Sequence, residues 1–200
     1  MGDVISSSAF KGPELNARFN ALIRDVNETR SRDILSPFTI TLGDEFQGVA
    51  ASLTGALKSI LYLEELILKN KDAFGLRYVV YFGEITTQIN PNIAHGMLGN
   101  GLTRARQLIT EKKKTSNKFT VRLDEKTKSE QVNLCLRLME GLTGAWNVKD
   151  YHLIYDMIRN TNNEEVGRKH NKNRSQIWKR RRTLKTEEYN TAKKLLFSLI

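Results

Sequence analysis

The octapeptide TLGDEFQG at residues 41–48 sets two adjacent acids, Asp44 and Glu45, between glycines and beside apolar residues. Two readings are open. Gly43-Asp44 suits the tip of a two-residue hairpin turn. Alternatively the acids are half of a metal site that another carboxylate completes, since Mg²⁺ takes hard oxygen ligands from neighbouring strands. A second chemistry-bearing stretch, KNRSQIWKRRRTL at 172–184, crowds six cations into thirteen residues. The other reactive side chains are scattered. His95 and His170 lack zinc spacing and read as surface or loop residues. Cys135, in VNLCLRLM at helical spacing, reads as a small buried apolar side chain, and a lone cysteine excludes an intramolecular disulfide.

The elements that must position the acids follow from periodicity. GPELNARFNALIRDVNETR carries Leu15, Phe19, Leu22, Ile23 and Val26 at helical spacing, with Pro13 near the start. SPFTITL alternates as a strand, and EFQGVA reads as a second. ASLTGALKSILYLEELILKN is an apolar helix ending before Asn70, and LRYVVYFGEITTQI reads as one long strand. Helix, strand, strand, helix, strand is a βαββαβ unit whose first strand has only MGDVI to draw on. In a ferredoxin-like sheet the first and third strands pair antiparallel, so Asp3 is expected to face Asp44. Beyond a glycine-punctuated loop, LTRARQLITEKKK reads as a helix, KFTVRL as a short strand and 126–140 as a helix. EKKKTSNK is a solvated charge run.

The fold class expected is α+β. A ferredoxin-like sheet over 1–145, its first strand largely missing, precedes an all-α helix-turn-helix domain over 146–200. The net charge of +10 is uneven: residues 150–200 hold 12 Lys/Arg against 6 Asp/Glu. Concentrated positive charge suggests a polyanionic partner. DYHLIYDMIRN, NNEEVGRKHN (with Asn163 as N-cap), KNRSQIWKRRRTL (with Asn173 as cap) and TEEYNTAKKLLFSLI read as four helices. In the third, Ile177 and Leu184 face inward. The last buries Tyr189, Ala192, Leu195, Leu196 and Leu199. Two short helices with a tight turn, the second strongly basic, match a helix-turn-helix. The start of the second helix would enter the major groove, with Arg174, Ser175 and Gln176 at base edges. Lys179, Arg180 and Arg181 would neutralise phosphate. No stretch approaches about 18 uninterrupted apolar residues, so no membrane span is expected. MGDVISSSAF has no basic head before an apolar run, so no secretion signal is expected either, and the compartment expected is the cytoplasm.

GDV at 2–4, TLGDEFQG at 41–48, LRYVVYFGEITT at 76–87 and GMLGNGLTRARQLI at 96–109 together resemble the SatD family of bacterial proteins. They are also similar to class III nucleotide cyclases and to diguanylate cyclase and polymerase palms, which implies a nucleotide-cyclase-like palm for the sheet over 1–145. That resemblance implies a divalent site, Mg²⁺ or Mn²⁺, with Asp3 and Asp44 as metal aspartates, the Val4 carbonyl as a further ligand and Glu45 as an accompanying acid. A nucleotide is the ligand implied. The sequence departs from the cyclase pattern where catalysis would need it. Ile40 stands at the purine-selecting lysine, Thr103 and Gln107 stand at the asparagine and arginine of the helix after the glycine loop, and Arg104 and Arg106 point elsewhere. Ser8 replaces the arginine that SatD-like sequences usually keep. Oriented cationic charge carries much of phosphoryl transfer, so no catalytic residue is assigned. The expectation is a DNA-binding regulator with a degenerate metal- and nucleotide-binding sensor. A nucleotide cyclase or nucleotidyltransferase, and an inert interaction scaffold, are the alternatives. The brevity of the first strand suggests a start upstream or a truncated copy, with an open sheet edge suited to pairing with a second copy.

Overall fold

The computed structural model describes the chain except residues 113–116, so part of the EKKKTSNK run lies outside the described residues. Described residues form five strands and eight α-helices, an α+β fold. In chain order these are β1 (Gly2–Val4), α1 (Gly12–Thr29), β2 (Ile34–Ile40), β3 (Glu45–Ala50), α2 (Leu53–Asn70), β4 (Leu76–Tyr81), α3 (Asn100–Lys112), β5 (Phe119–Arg122), α4 (Lys126–Thr143), α5 (Tyr151–Arg159), α6 (Asn163–Lys169), α7 (Arg174–Leu184) and α8 (Thr186–Ser198). The mixed sheet has the order β2-β3-β1-β4-β5, with only β4 and β5 parallel. No described helix is long and apolar enough to cross a membrane.

Short as it is, β1 lies at the centre of the sheet. Gly2 pairs with Phe46 on one side and with Tyr78 on the other. A side chain at Gly2 would lie 2.5 Å from the Phe46 ring, so glycine is what lets Phe46 and Tyr78 meet edge-on across the strand, 6.4 Å between centroids. Tyr78 then stacks on Phe119 at 5.5 Å. This aromatic row packs under α1 and α2, where Phe19, Leu22, Val26, Leu63 and Leu66 are buried. The opposite sheet face is covered by α3 through Val79, Ala105 and Ile109.

The segment after β4 departs from the expected long strand, which stops at Tyr81. Past it the chain leaves the sheet and folds against the glycine loop, with Gly101 N–H bonded to the Glu84 carbonyl and Thr86 N–H to that of Leu98. A Cβ on Gly99 would collide with the Glu84 carbonyl oxygen. Two backbones touch there, which a β-strand extension would prevent.

The outer edge of β5 is sealed by side chains of α4. Asn133 accepts from Val121 N–H at 2.9 Å and donates to its carbonyl at 2.7 Å, while Ser129 Oγ accepts from Leu123 N–H at 2.8 Å. An edge strand capped in this way has little left to offer another chain.

Helices α5 to α8 do not stand apart from the sheet. One apolar cluster joins Leu57, Leu61 and Leu68 of α2, Val121 of β5 and Leu136 of α4 to Ile154, Met157, Ile177 and Leu196. A polar tie reinforces it: buried Glu65 of α2 binds Arg159 of α5 at 3.1 Å and Lys193 of α8.

Candidate functional site

The α6–turn–α7 unit is built by a few local contacts. Asn162, one residue before the expected cap Asn163, is the N-cap of α6, its side chain accepting from the N–H groups of Glu164 and Glu165. Asn171 turns the chain in the left-handed region at φ 52°. The turn packs so closely on α6 that a Cβ on Gly167 would collide with the Lys172 carbonyl oxygen. A capping box closes the start of α7: Gln176 N–H donates to Asn173 Oδ1 at 2.8 Å, and Asn173 N–H donates to Gln176 Oε1 at 2.9 Å. Asp156 of α5 clamps the end of α6 by accepting from Lys169 at 2.6 Å and contacting His170 Nε2 at 2.7 Å. Burial alone would raise the Asp156 carboxyl. Hydrogen bonds and charge from Lys169 and His170 outweigh it and hold the pKa below the ordinary value. His170 is therefore pinned rather than an ordinary surface residue.

The expected DNA-facing residues divide. Arg174, Ser175, Gln176 and Lys179 are exposed along one side of α7. Gln176, however, commits its amide oxygen to the cap, which leaves only its NH₂ for a ligand. Arg180 is half-buried and pairs with Asp150 at 2.6 Å. Arg181 needs correction: it is 2% exposed. Its guanidinium donates to the Met157 carbonyl at 2.6 Å, to Asn163 Oδ1 at 2.5 Å and to the Asn160 carbonyl. Burial lowers its pKa, with Glu187 opposing. Those carbonyls lie at the end of α5, where helical partners run out, so this cation is used inside the protein. Trp178 is 47% exposed and carries Arg182 over its ring at 5.1 Å. Leu195, expected inside, is 48% exposed.

The acids of the N-terminal half form a different arrangement from the one expected. The β2–β3 connection is a three-residue loop, because Thr41 N–H bonds the Glu45 carbonyl and Gly43 takes φ 73°. In the β1–β3 pairing Asp3 lies opposite Glu45 instead of Asp44. Asp3 also lies opposite Arg77. Glu45, Asp3 and Arg77 thus make a row across three strands on the α3 face. Arg77 donates to Asp3 at 3.0 Å, and Arg106 descends from α3 onto Glu45 at 2.9 Å. Asp3 and Glu45 are both buried. Two acids and two arginines leave this quartet with no net charge. Asp44 turns away and accepts from Ser7 Oγ at 2.6 Å.

Among the described residues no three His, Cys, Asp or Glu side chains are placed to hold a metal ion. Asp3, Glu45 and Asp44 are directed to Arg77, Arg106 and Ser7, three different partners. Sequence reasoning missed both arginines. Arg77 gave a signal, since a cation inside the apolar run LRYVVY requires a buried acid nearby. Arg106 gave none beyond its helical position, and contrary to the expected orientation it reaches an acid while Arg104 bonds Gln107 at 3.0 Å.

A family model described as the SatD family matches residues 1–194. No curated protein and no solved structure matches the chain. The match takes in the charged quartet on the sheet and most of the basic helical end, and the chain belongs to the SatD family.

Proposed function

We propose that the protein binds double-stranded DNA through the α6–α7 unit and acts as a regulator. The observation that carries this reading is the exposed, cation-bearing start of α7, held on a rigid base by Arg181, Gly167 and the capping box. A helix presented this way suits the major groove, where Arg174 and Ser175 meet base edges and Lys179 meets phosphate. With Arg181 buried and Arg180 paired, fewer phosphates are neutralised than the run KRRR implies. The salt dependence is accordingly shallow for so basic a helix. The test is fluorescence anisotropy with a panel of duplexes selected from a random pool, repeated across salt concentrations. Arg174→Ala should relax sequence preference and Lys179→Ala should weaken all duplexes alike. Weak, sequence-indifferent binding unchanged by either substitution would refute the reading.

The sheet is the second half of the proposal. The β2-β3-β1-β4 strand order supports a ferredoxin-like palm and, with it, the sensor reading. A nucleotide with Mg²⁺ or Mn²⁺ presents cation to acids and phosphate to arginines, so the Asp3–Arg77 and Glu45–Arg106 pairs are complementary to it once exchanged. Asp44 and Ser7 lie beside this row. Exchange breaks the buried Asp3–Arg77 pair and the part-exposed Glu45–Arg106 pair, which favours occasional ligand binding over a resident metal. Melting curves with each nucleoside triphosphate and Mg²⁺ or Mn²⁺, in wild type and Asp44→Asn, test this half. Product formation that is lost in Asp44→Asn would favour the enzyme alternative. No shift with any ligand would favour an inert scaffold.

A further inference from the structure

The end of α2, the start of α5 and the end of α6 enclose an open bowl of about 680 Å³. Lys69, Lys71, Lys149, Lys169 and Lys172 line it. Two acids, Asp150 and Asp156, share the lining, and both are already committed. Asp150 pairs with Arg180 of α7 at 2.6 Å, and Asp156 holds Lys169 and His170. Among the described residues Lys69, Lys71, Lys149 and Lys172 make no ion pair, and all four are exposed. The bowl therefore carries positive charge that the fold does not neutralise.

Lys71 stands where a lysine is a poor choice for the backbone. It ends α2 in the left-handed region at φ 53°, its N–H bonded to the carbonyls of Ile67 and Leu68. Glycine or asparagine is the usual residue at such a helix end, because a larger side chain is strained there. No acid among the described residues answers its ammonium group. The side chain is placed for something outside the fold.

The bowl borders the α6–α7 unit. His170 ends α6, Lys172 lies in the turn two residues ahead of Arg174, and the Asp150–Arg180 pair joins the bowl to α7. The kind of cation matters as well. A small free phosphate is gripped by arginine forks or by converging backbone N–H groups. Among the described residues no arginine lines the bowl. Lysines on long stems around a wide opening act as point charges, which suits a string of phosphates held without regard to base sequence.

We infer that the bowl holds the sugar–phosphate backbone of duplex DNA beside the base pairs that α7 reads. This rests on the duplex-binding reading and extends it to α2, a helix packed on the sheet, so the sheet-bearing part of the protein also touches the duplex. Contacts here add to the shallow salt dependence of α7 itself and carry no sequence preference.

The test compares wild type with the double variant Lys69→Gln, Lys71→Gly by anisotropy across salt concentrations, on a selected duplex and on the same duplex trimmed at each end. Glycine suits the left-handed end of α2, so the melting temperature should hold or rise. On the long duplex affinity should fall at least about tenfold, and the slope of log K against log salt should lessen by about two. The trimmed duplex, without flanking phosphates, should bind both proteins alike. Unchanged affinity and slope in the double variant, with Arg174→Ala still relaxing sequence preference, would overturn the inference and leave the α7 reading standing. Affinity lost in the double variant but indifferent to Arg174→Ala would refute the α7 reading and uphold the bowl. A wild type that binds no duplex overturns both. Inorganic tripolyphosphate that raises the melting temperature of wild type but not of the double variant, with duplex affinity equal in the two, would assign the bowl to a free polyphosphate and overturn the inference.

Discussion

Arg181 Nη1 donates to the Met157 main-chain carbonyl across 2.6 Å, tying the second half of α7 to the last turn of α5. The same guanidinium reaches Asn163 and Asn160, so one side chain fixes three segments. Arg181→Ala should therefore destabilise the protein by at least about 3 kcal/mol, because buried carbonyls lose their donor. Arg182→Ala, on the exposed side, should cost within about 1 kcal/mol. Urea denaturation of the two variants makes the comparison.

Gln176 separates folding from recognition. Glutamate at the third helical position preserves a capping box, so Gln176→Glu should leave stability within about 0.5 kcal/mol of wild type. The new carboxylate would stand on the exposed start of α7 and should weaken duplex binding about tenfold or more by repelling phosphate. Anisotropy and urea denaturation on one sample read both. Parallel loss of stability and affinity would mean that the cap, not the surface, was altered.

Two glycines should respond with opposite sign. Gly167→Ala drives a methyl into the Lys172 carbonyl oxygen, and moving the turn should cost about 1–3 kcal/mol. Gly141 lies in α4 with nothing within 4 Å of where a Cβ would stand, so Gly141→Ala should stabilise by about 0.5–1 kcal/mol. Thermal unfolding distinguishes them.

Arg77 and Asp3 should be strongly coupled. Arg77→Ala removes the 3.0 Å contact to the buried Asp3 carboxylate and should cost about 3–5 kcal/mol. Adding Asp3→Asn removes the carboxylate that Arg77 contacted and should recover part of that loss. A double-mutant cycle by urea denaturation gives the coupling directly.

The Asp156 clamp predicts acid sensitivity. Its folded pKa lies below the unfolded value of about 3.9, because Lys169 and His170 overcome the effect of burial. Its contribution is complete above that unfolded value and is lost as pH falls through the folded one. Asp156→Asn should be less stable than wild type at neutral pH, and the difference should shrink as pH drops below about 4. Stability measured against pH in both proteins is the check.

Much of the scaffold was legible in residue spacing. Leu15, Phe19, Leu22, Ile23 and Val26 are the buried face of α1, and Leu153, Ile154, Met157 and Ile158 that of α5. Those patterns are local, and helix geometry alone determines them. What spacing could not give was register between strands distant in the chain. A one-residue difference in how β1 pairs with β3 decides whether Asp3 meets Asp44 or Glu45. Nor does a run of four cations say which one turns inward. Arg181 sits four residues after Ile177, on the buried side of α7, and helical phase was the available clue.

The shared apolar cluster has an evolutionary consequence. Because Ile154, Met157, Ile177 and Leu196 complete a core with Leu57 and Leu61 of α2, the helical end is not a cassette that recombination can trade freely between proteins. A gene fragment beginning near Trp146 would carry half a core into its new host. The sheet left behind would bare the other half. Sequence change on either side of that boundary is therefore constrained by the other, and the two regions must diverge together.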